Sequence, residues 1–210
     1  MQTADVEPRL WIAAAACFAA FVVLGRYVAP RTPSRIDAEA EALRGEWTPV
    51  AVVFTALGRW PALVTVGLVA AVAAFVLHAQ PVAIAALAAS QALSQSIVSA
   101  TKHRFHRTRP DYWLVRREAD LSYPSGHAAT TVVFYLALAL LVSRTSSLPR
   151  PVMGTLLAGL AWCVAGIPWS RIALGAHYLT DVAGGLLFGA GWLCATLALV
   201  LRFAPERLVR

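Results

Sequence analysis

Apolar residues in this chain come in long blocks rather than at amphipathic spacing, and that feature constrains the fold more than any other. Leu10 to Val28, Pro61 to Leu77, Pro81 to Ala100, Ala128 to Val142, Val152 to Ile167 and Leu179 to Leu201 are such blocks. Each approaches the roughly 20 residues a helix needs to cross a bilayer. The expected fold is therefore all-α, an integral membrane bundle of about six transmembrane helices with short interfacial helices. Composition agrees: 59% of the 210 residues are hydrophobic, 14% are charged and mean hydropathy is +0.64. A soluble domain has about 25% charged residues.

The first block follows a tail carrying Asp5, Glu7 and Arg9. It is longer than the apolar core of a secretion signal and further spans follow it, so it reads as a retained anchor. Arg26 near its end can reach the interface. Ala29 to Trp47 is polar, and Ile36 to Arg44 within it reads as a short surface helix. Thr48 to Leu57 is interrupted by Gly58, Arg59, Trp60 and Pro61, which suggests an interfacial helix leading into the next span, with Trp60 at the membrane boundary. The short connection His78-Ala79-Gln80 makes the two spans it joins antiparallel neighbours. Ser90, Gln91, Ser94, Gln95, Ser96 and Ser99 in one span argue for a helix inside the bundle, where interhelical hydrogen bonds satisfy them. Gly185 and Gly189 form a GxxxG pair that permits close helix approach.

A net charge of +7 raises the question of nucleic acid, but no recognition motif accompanies it. The only lysine, Lys102, stands instead among Arg104, Arg107, Arg109, Arg116 and Arg117 in one segment between apolar blocks. A small phosphorylated group at the membrane explains that cluster better than a nucleic acid does. Cys17, Cys163 and Cys194 lie inside apolar blocks without a CxxC pair and read as packing residues.

Three separated segments bring phosphate-type chemistry to the end of a span, all on one side of the expected topology: Lys102 to Pro110, Pro124 to His127, and Ser170-Arg171 with His177 and Asp181. Arginine suits phosphate because its planar fork donates paired hydrogen bonds and stays charged. Ser125 and Gly126 precede a span, where helix N-terminal N–H groups attract anions, and His127 falls in its first turn. His177 and Asp181 are four apart, so on a helix they share a face. Asp181 can then accept from one imidazole nitrogen while the other faces the phosphate, which stabilises the imidazolium that develops on attack.

The pattern K-x6-RP, PSGH and SR-x5-H-x3-D resembles the type 2 phosphatidic acid phosphatase (PAP2) superfamily, which includes lipid phosphatases and vanadium haloperoxidases. Every motif position matches, and the resemblance covers the chain from about Pro61 onward. It implies that Lys102, Arg109 and Arg171 hold phosphate oxygens while Ser125 and Gly126 donate hydrogen bonds. His177 would attack phosphorus to form a phosphohistidine, Asp181 would orient it, and His127 would protonate the leaving oxygen and later activate water. No metal and no cofactor are expected. Arg104, Arg107, Arg116 and Arg117, outside the motif, are expected to be solvated or in contact with headgroups, and His103 and His106 to be loop residues. His78, on the opposite side, is not expected to be catalytic.

The expected protein is thus a single domain over 1–210, with an anchor and interfacial segment at 1–60, a catalytic core at 61–201 and a basic tail at 202–210. Its expected activity is hydrolysis of a lipid phosphomonoester or diphosphate, such as a prenyl diphosphate, phosphatidic acid or phosphatidylglycerophosphate. Transfer of the phosphoryl group to a lipid or sugar acceptor is the alternative at the same site. A haloperoxidase is disfavoured by the apolar spans, and a transporter would not need both histidines and Asp181. Discounting the cations needed for phosphate, the remaining arginine bias puts the termini in the cytoplasm. The site would then face the extracytoplasmic side of the inner (plasma) membrane.

Overall fold

The computed structural model describes residues 3–31, 33–45, 47–77, 81–114, 118–145 and 148–204. Among them the chain forms helices and no strand: α1 (Thr3–Val28), α2 (Arg35–Glu39), α3 (Thr48–Leu57), α4 (Trp60–Val76), α5 (Pro81–Phe105), α6 (Gly126–Ser143), α7 (Arg150–Ala173) and α8 (Leu179–Phe203). A helix satisfies its backbone groups internally, which hydrocarbon demands of any spanning segment. By length and composition α1, α5, α6, α7 and α8 can each cross a membrane. The pair α3 and α4, bent by 59° at its break, makes a sixth crossing if it is one span. Large apolar side chains such as Val64, Leu68, Phe75 and Trp162 are exposed on the outer faces, as lipid-facing residues would be.

The alternating helices bring the ends of α5 and α7 and the starts of α6 and α8 to one end of the bundle. α1 packs along α8 there, with the Phe21 ring 5.5 Å from Tyr123 and 5.6 Å from Phe188. Phe134, Tyr135 and Leu138 of α6 meet Leu87 of α5 and Ile167 of α7 in a second cluster. α6 and α8 approach closely at Gly185, where a Cβ would fall 2.3 Å from the Ser125 carbonyl oxygen. The GxxxG reading thus describes this contact, and Gly189 continues it against Ala129 and Val132.

Three expectations about local structure need correction. Of the six polar residues on α5, Gln91 and Ser94 are buried and Gln91 donates to Thr130 Oγ1 at 2.8 Å, but Ser96 and Ser99 face outward. Ser96 tolerates this because its hydroxyl donates to its own helix, at the Ala92 carbonyl. The segment read as a surface helix is α2 followed by a single 3₁₀ turn, Ala40–Leu43, and one residue of it is not on the surface at all: Asp37 is 2% exposed. α5 also runs past Ala100 to Phe105, ending where His106 takes a left-handed conformation (φ 52°) of the kind that stops helices. Lys102 therefore lies on the last turn of a helix. His78, Arg116, Arg117 and the tail beyond Ala204 lie outside the described residues.

Candidate active site

His177 sits in the short connection between α7 and α8, and the backbone there is fixed by both helices. The N–H groups of Ala176 and His177 both donate to the Arg171 carbonyl, at 3.0 and 3.1 Å. Gly175 makes the preceding turn with φ +67°, and a Cβ there would collide with the Tyr112 carbonyl at 2.2 Å, so only glycine fits. Asp181 is in the first turn of α8, where its carboxylate accepts from the Tyr178 N–H at 2.9 Å and complements the helix dipole. Ser122 donates its hydroxyl to the same carboxylate.

The tautomer of His177 follows from its partners. Arg109 Nη1 lies 2.9 Å from His177 Nε2, and because a guanidinium can only donate, Nε2 is the acceptor. The proton then resides on Nδ1, which faces Asp181 Oδ2 at 3.5 Å. Nε2 thus presents its lone pair to the cation cluster. Burial, followed by the charges of Arg109, Arg171 and Lys102, pushes the His177 pKa well below the ordinary imidazole value. A buried neutral imidazole is the form that can act as a nucleophile.

The three cations expected to hold phosphate converge on a pair of carboxylates from the preceding loop. Lys102 and Arg109 both pair with Asp120. Arg109 also meets Glu118 at 2.9 Å, and Arg171 meets Glu118 at 2.7 Å. Arg109 is anchored further by the Ala176 carbonyl at 2.8 Å, and Arg171 by the Thr55 hydroxyl at 2.6 Å. Ser125 caps α6, receiving the Ala128 N–H, while its own N–H donates to the Asp181 carbonyl at 3.0 Å. That bond ties the α6 start to the α8 start. Gly126 accepts from Gln95 through its carbonyl at 3.3 Å. His127 Nε2 is buried and has no hydrogen-bond partner among the described residues.

Lys102, Arg109, Arg171, His177 and Asp181 are therefore linked directly or through one shared partner, with Ser125 joined to them by backbone. His127 stands one residue beyond Gly126 on the same turn. Arg104, His103 and His106 are exposed, though His103 lies on the last turn of α5 rather than in a loop, and Arg107 departs from its expected solvated role. Its side chain has no exposure and its Nη1 meets Asp181 Oδ1 at 2.6 Å. It has to be buried because it balances carboxylates that are themselves out of water. Ser122, Thr55, Glu118 and Asp120 also belong to the cluster and were not singled out from sequence. A signal existed for Arg107 and Ser122, which lie two residues from Arg109 and Pro124; none existed for Thr55.

Residues 83–205 match the model of the PAP2 superfamily. The chain is 36% identical over 102 residues to decaprenylphosphoryl-5-phosphoribose phosphatase of Mycobacterium tuberculosis, covering 47% of this chain and 50% of that protein. It is 36% identical over 90 residues to phosphatidylglycerophosphatase B of Bacillus subtilis, covering 42% and 43%. The chain thus spans about half the length of the curated relatives it matches or less. The fold is that of a transmembrane PAP2 type phosphatidylglycerolphosphate phosphatase from Bacillus subtilis, with a TM-score of 0.76 at 19% identity over 90% of this chain and 96% of that one. With its family match running from α5 through α8, the chain belongs to the PAP2 superfamily.

Proposed function

We propose that the protein is a membrane lipid phosphatase that hydrolyses a phosphomonoester or diphosphate through a phosphohistidine. The observation that carries this reading is the His177 ring, with the Asp181 carboxylate 3.5 Å from one nitrogen and the other nitrogen meeting Arg109 beside Arg171 and Lys102. In the reaction, Nε2 forms a bond to phosphorus as the bond to the leaving oxygen breaks, and His127 supplies the proton that oxygen takes up. Water activated by His127 then releases phosphate from His177. Lys102, Arg109 and Arg171, with the Ser125 hydroxyl and the Gly126 N–H donating at the α6 start, stabilise the charge that spreads over the phosphoryl oxygens.

Because these groups form an anion pocket, orthovanadate, which adopts the trigonal-bipyramidal shape of phosphoryl transfer, is expected to inhibit strongly. Chelators are expected to leave activity intact. Assay of purified protein against phospholipid and polyprenyl phosphates, with and without an acceptor lipid, tests both statements and separates hydrolysis from transfer. Strict dependence on an added divalent ion would overturn the mechanism.

The site faces the extracytoplasmic side of the plasma membrane in this reading. In a variant lacking the native cysteines, Tyr112→Cys, beside the site, is expected to react with an impermeant thiol reagent in intact cells, whereas Ser143→Cys at the far end of α6 is not. The reverse pattern would invert the orientation.

A further inference from the structure

Asp37 lies outside every motif, yet it touches the nucleophile's partner through a single residue. Arg107 Nη2 donates to Asp37 Oδ2 at 2.6 Å while Nη1 donates to Asp181 Oδ1 at 2.6 Å, and all three side chains have no exposure. Thr180 donates to Asp37 Oδ1 through its N–H at 3.0 Å and its hydroxyl at 2.8 Å, and receives Arg107 Nη1 at 2.6 Å. Ser34 holds the other side, its hydroxyl donating to Asp37 Oδ2 at 2.6 Å. The Arg107 guanidinium lies over the Tyr178 ring at 4.5 Å. Burial alone would push the Asp37 carboxyl up, but the Ser34 and Thr180 hydrogen bonds and the Arg107 charge outweigh it and hold the carboxyl below its ordinary value.

The charges in this cluster do not cancel. Two carboxylates and one guanidinium leave one surplus negative charge. Without Asp37, the Arg107 charge would fall on Asp181 alone and neutralise it. Across His177 from this cluster stand Arg109, Arg171 and Lys102, with His127 on α6 and the carboxylates Glu118 and Asp120 paired to the cations. Tyr123 and Tyr178 are the other ionisable neighbours of Asp181.

We propose that Asp37 is a positioning residue for the nucleophile: by taking up half of the Arg107 fork, it leaves Asp181 a full negative charge with which to orient His177 and stabilise its developing imidazolium. The inference rests on the phosphatase reading above. It fails separately from that reading, since a wild-type protein that turns over no phosphate ester would sink the reading itself.

The test compares the full-length wild type with Asp37→Asn and with the double variant Asp37→Asn/Arg107→Gln, in which both charges are removed together. Asp37→Asn is expected to lower kcat about tenfold, the equivalent of one pKa unit, with KM and vanadate inhibition changed less than about twofold. The acid limb of kcat/KM moves to lower pH by roughly one unit, because the His177 imidazolium has lost a compensating charge. Substrate ionisation is common to all variants and drops out of the comparison. In the double variant the surplus negative charge returns, so the acid limb moves back and kcat rises to within about threefold of wild type, Arg107 fork geometry being the residual difference. A purely structural role for Asp37 gives the opposite order, with the acid limb unmoved and the double variant no better than the single. If Asp37→Asn alone does not fold, an active double variant still supports the charge argument. A double variant that fails to fold, or is no more active than Asp37→Asn, overturns it.

Discussion

His177→Ala is expected to abolish turnover of every phosphate ester, whatever its leaving group, because no covalent intermediate forms. His127→Ala is expected to behave differently. A general acid is worth about 10²–10⁴-fold when the leaving oxygen is a poor one and far less when it departs as a stable anion. The His127 variant should therefore lose most activity on an alkyl lipid phosphate yet retain a larger fraction of its first-step rate on p-nitrophenyl phosphate. In the proposed mechanism His127 also activates the water of the second step, so the comparison is read from the nitrophenol burst in rapid mixing rather than from steady-state rates. Equal losses on both substrates would remove His127 from the acid role, and a burst surviving in His177→Ala would overturn the nucleophile.

Gly185→Ala is expected to be nearly as damaging, although Gly185 touches no substrate. Its Cβ would lie 2.3 Å from the Ser125 carbonyl oxygen and 2.8 Å from Ala128 Cβ. Backbone on the facing helix cannot rotate aside, so α6 and α8 must separate, and overpacking of this kind costs about 1–3 kcal/mol. That separation strains the Ser125–Asp181 backbone bond and moves His127 away from His177. Loss of most activity together with a lowered melting temperature is the expected result. Gly154→Ala is the control, since a Cβ there meets nothing within 4 Å, and it should leave both quantities unchanged. Similar behaviour of the two variants would show that the α6–α8 contact does not govern the site.

The parts of this molecule legible in the sequence are those written in short-range patterns. Apolar block length gives the helices, and the spacing of His177 and Asp181 gives their shared orientation at the α8 start. Lys102, Arg109 and Arg171 are legible through the chemistry of phosphate and the family pattern. Asp37 and Thr55 were not legible, because their partners lie 70 and 116 residues away, and nothing local marks an acidic residue in a polar linker as buried. Arg107 was misjudged for a related reason: several arginines in one loop look alike until a carboxylate from another element selects one of them. Ser96 and Ser99 show the limit of counting polar residues along a helix, since only position around the axis decides which face the bundle.

Glu118 and Asp120 have a consequence for binding itself. With Arg109 and Arg171 paired to these carboxylates, the cation cluster is not an open positive well but one already answered by the chain's own acids. Under the proposed function, an anion arriving there would take part in an exchange, one set of oxygens for another. Its observed affinity is then its intrinsic affinity reduced by the fraction of molecules in which the internal competitor has let go. Under the proposed function the same exchange would run in reverse when inorganic phosphate leaves, the two carboxylates reclaiming the cations so that a tightly charged pocket does not hold its own product.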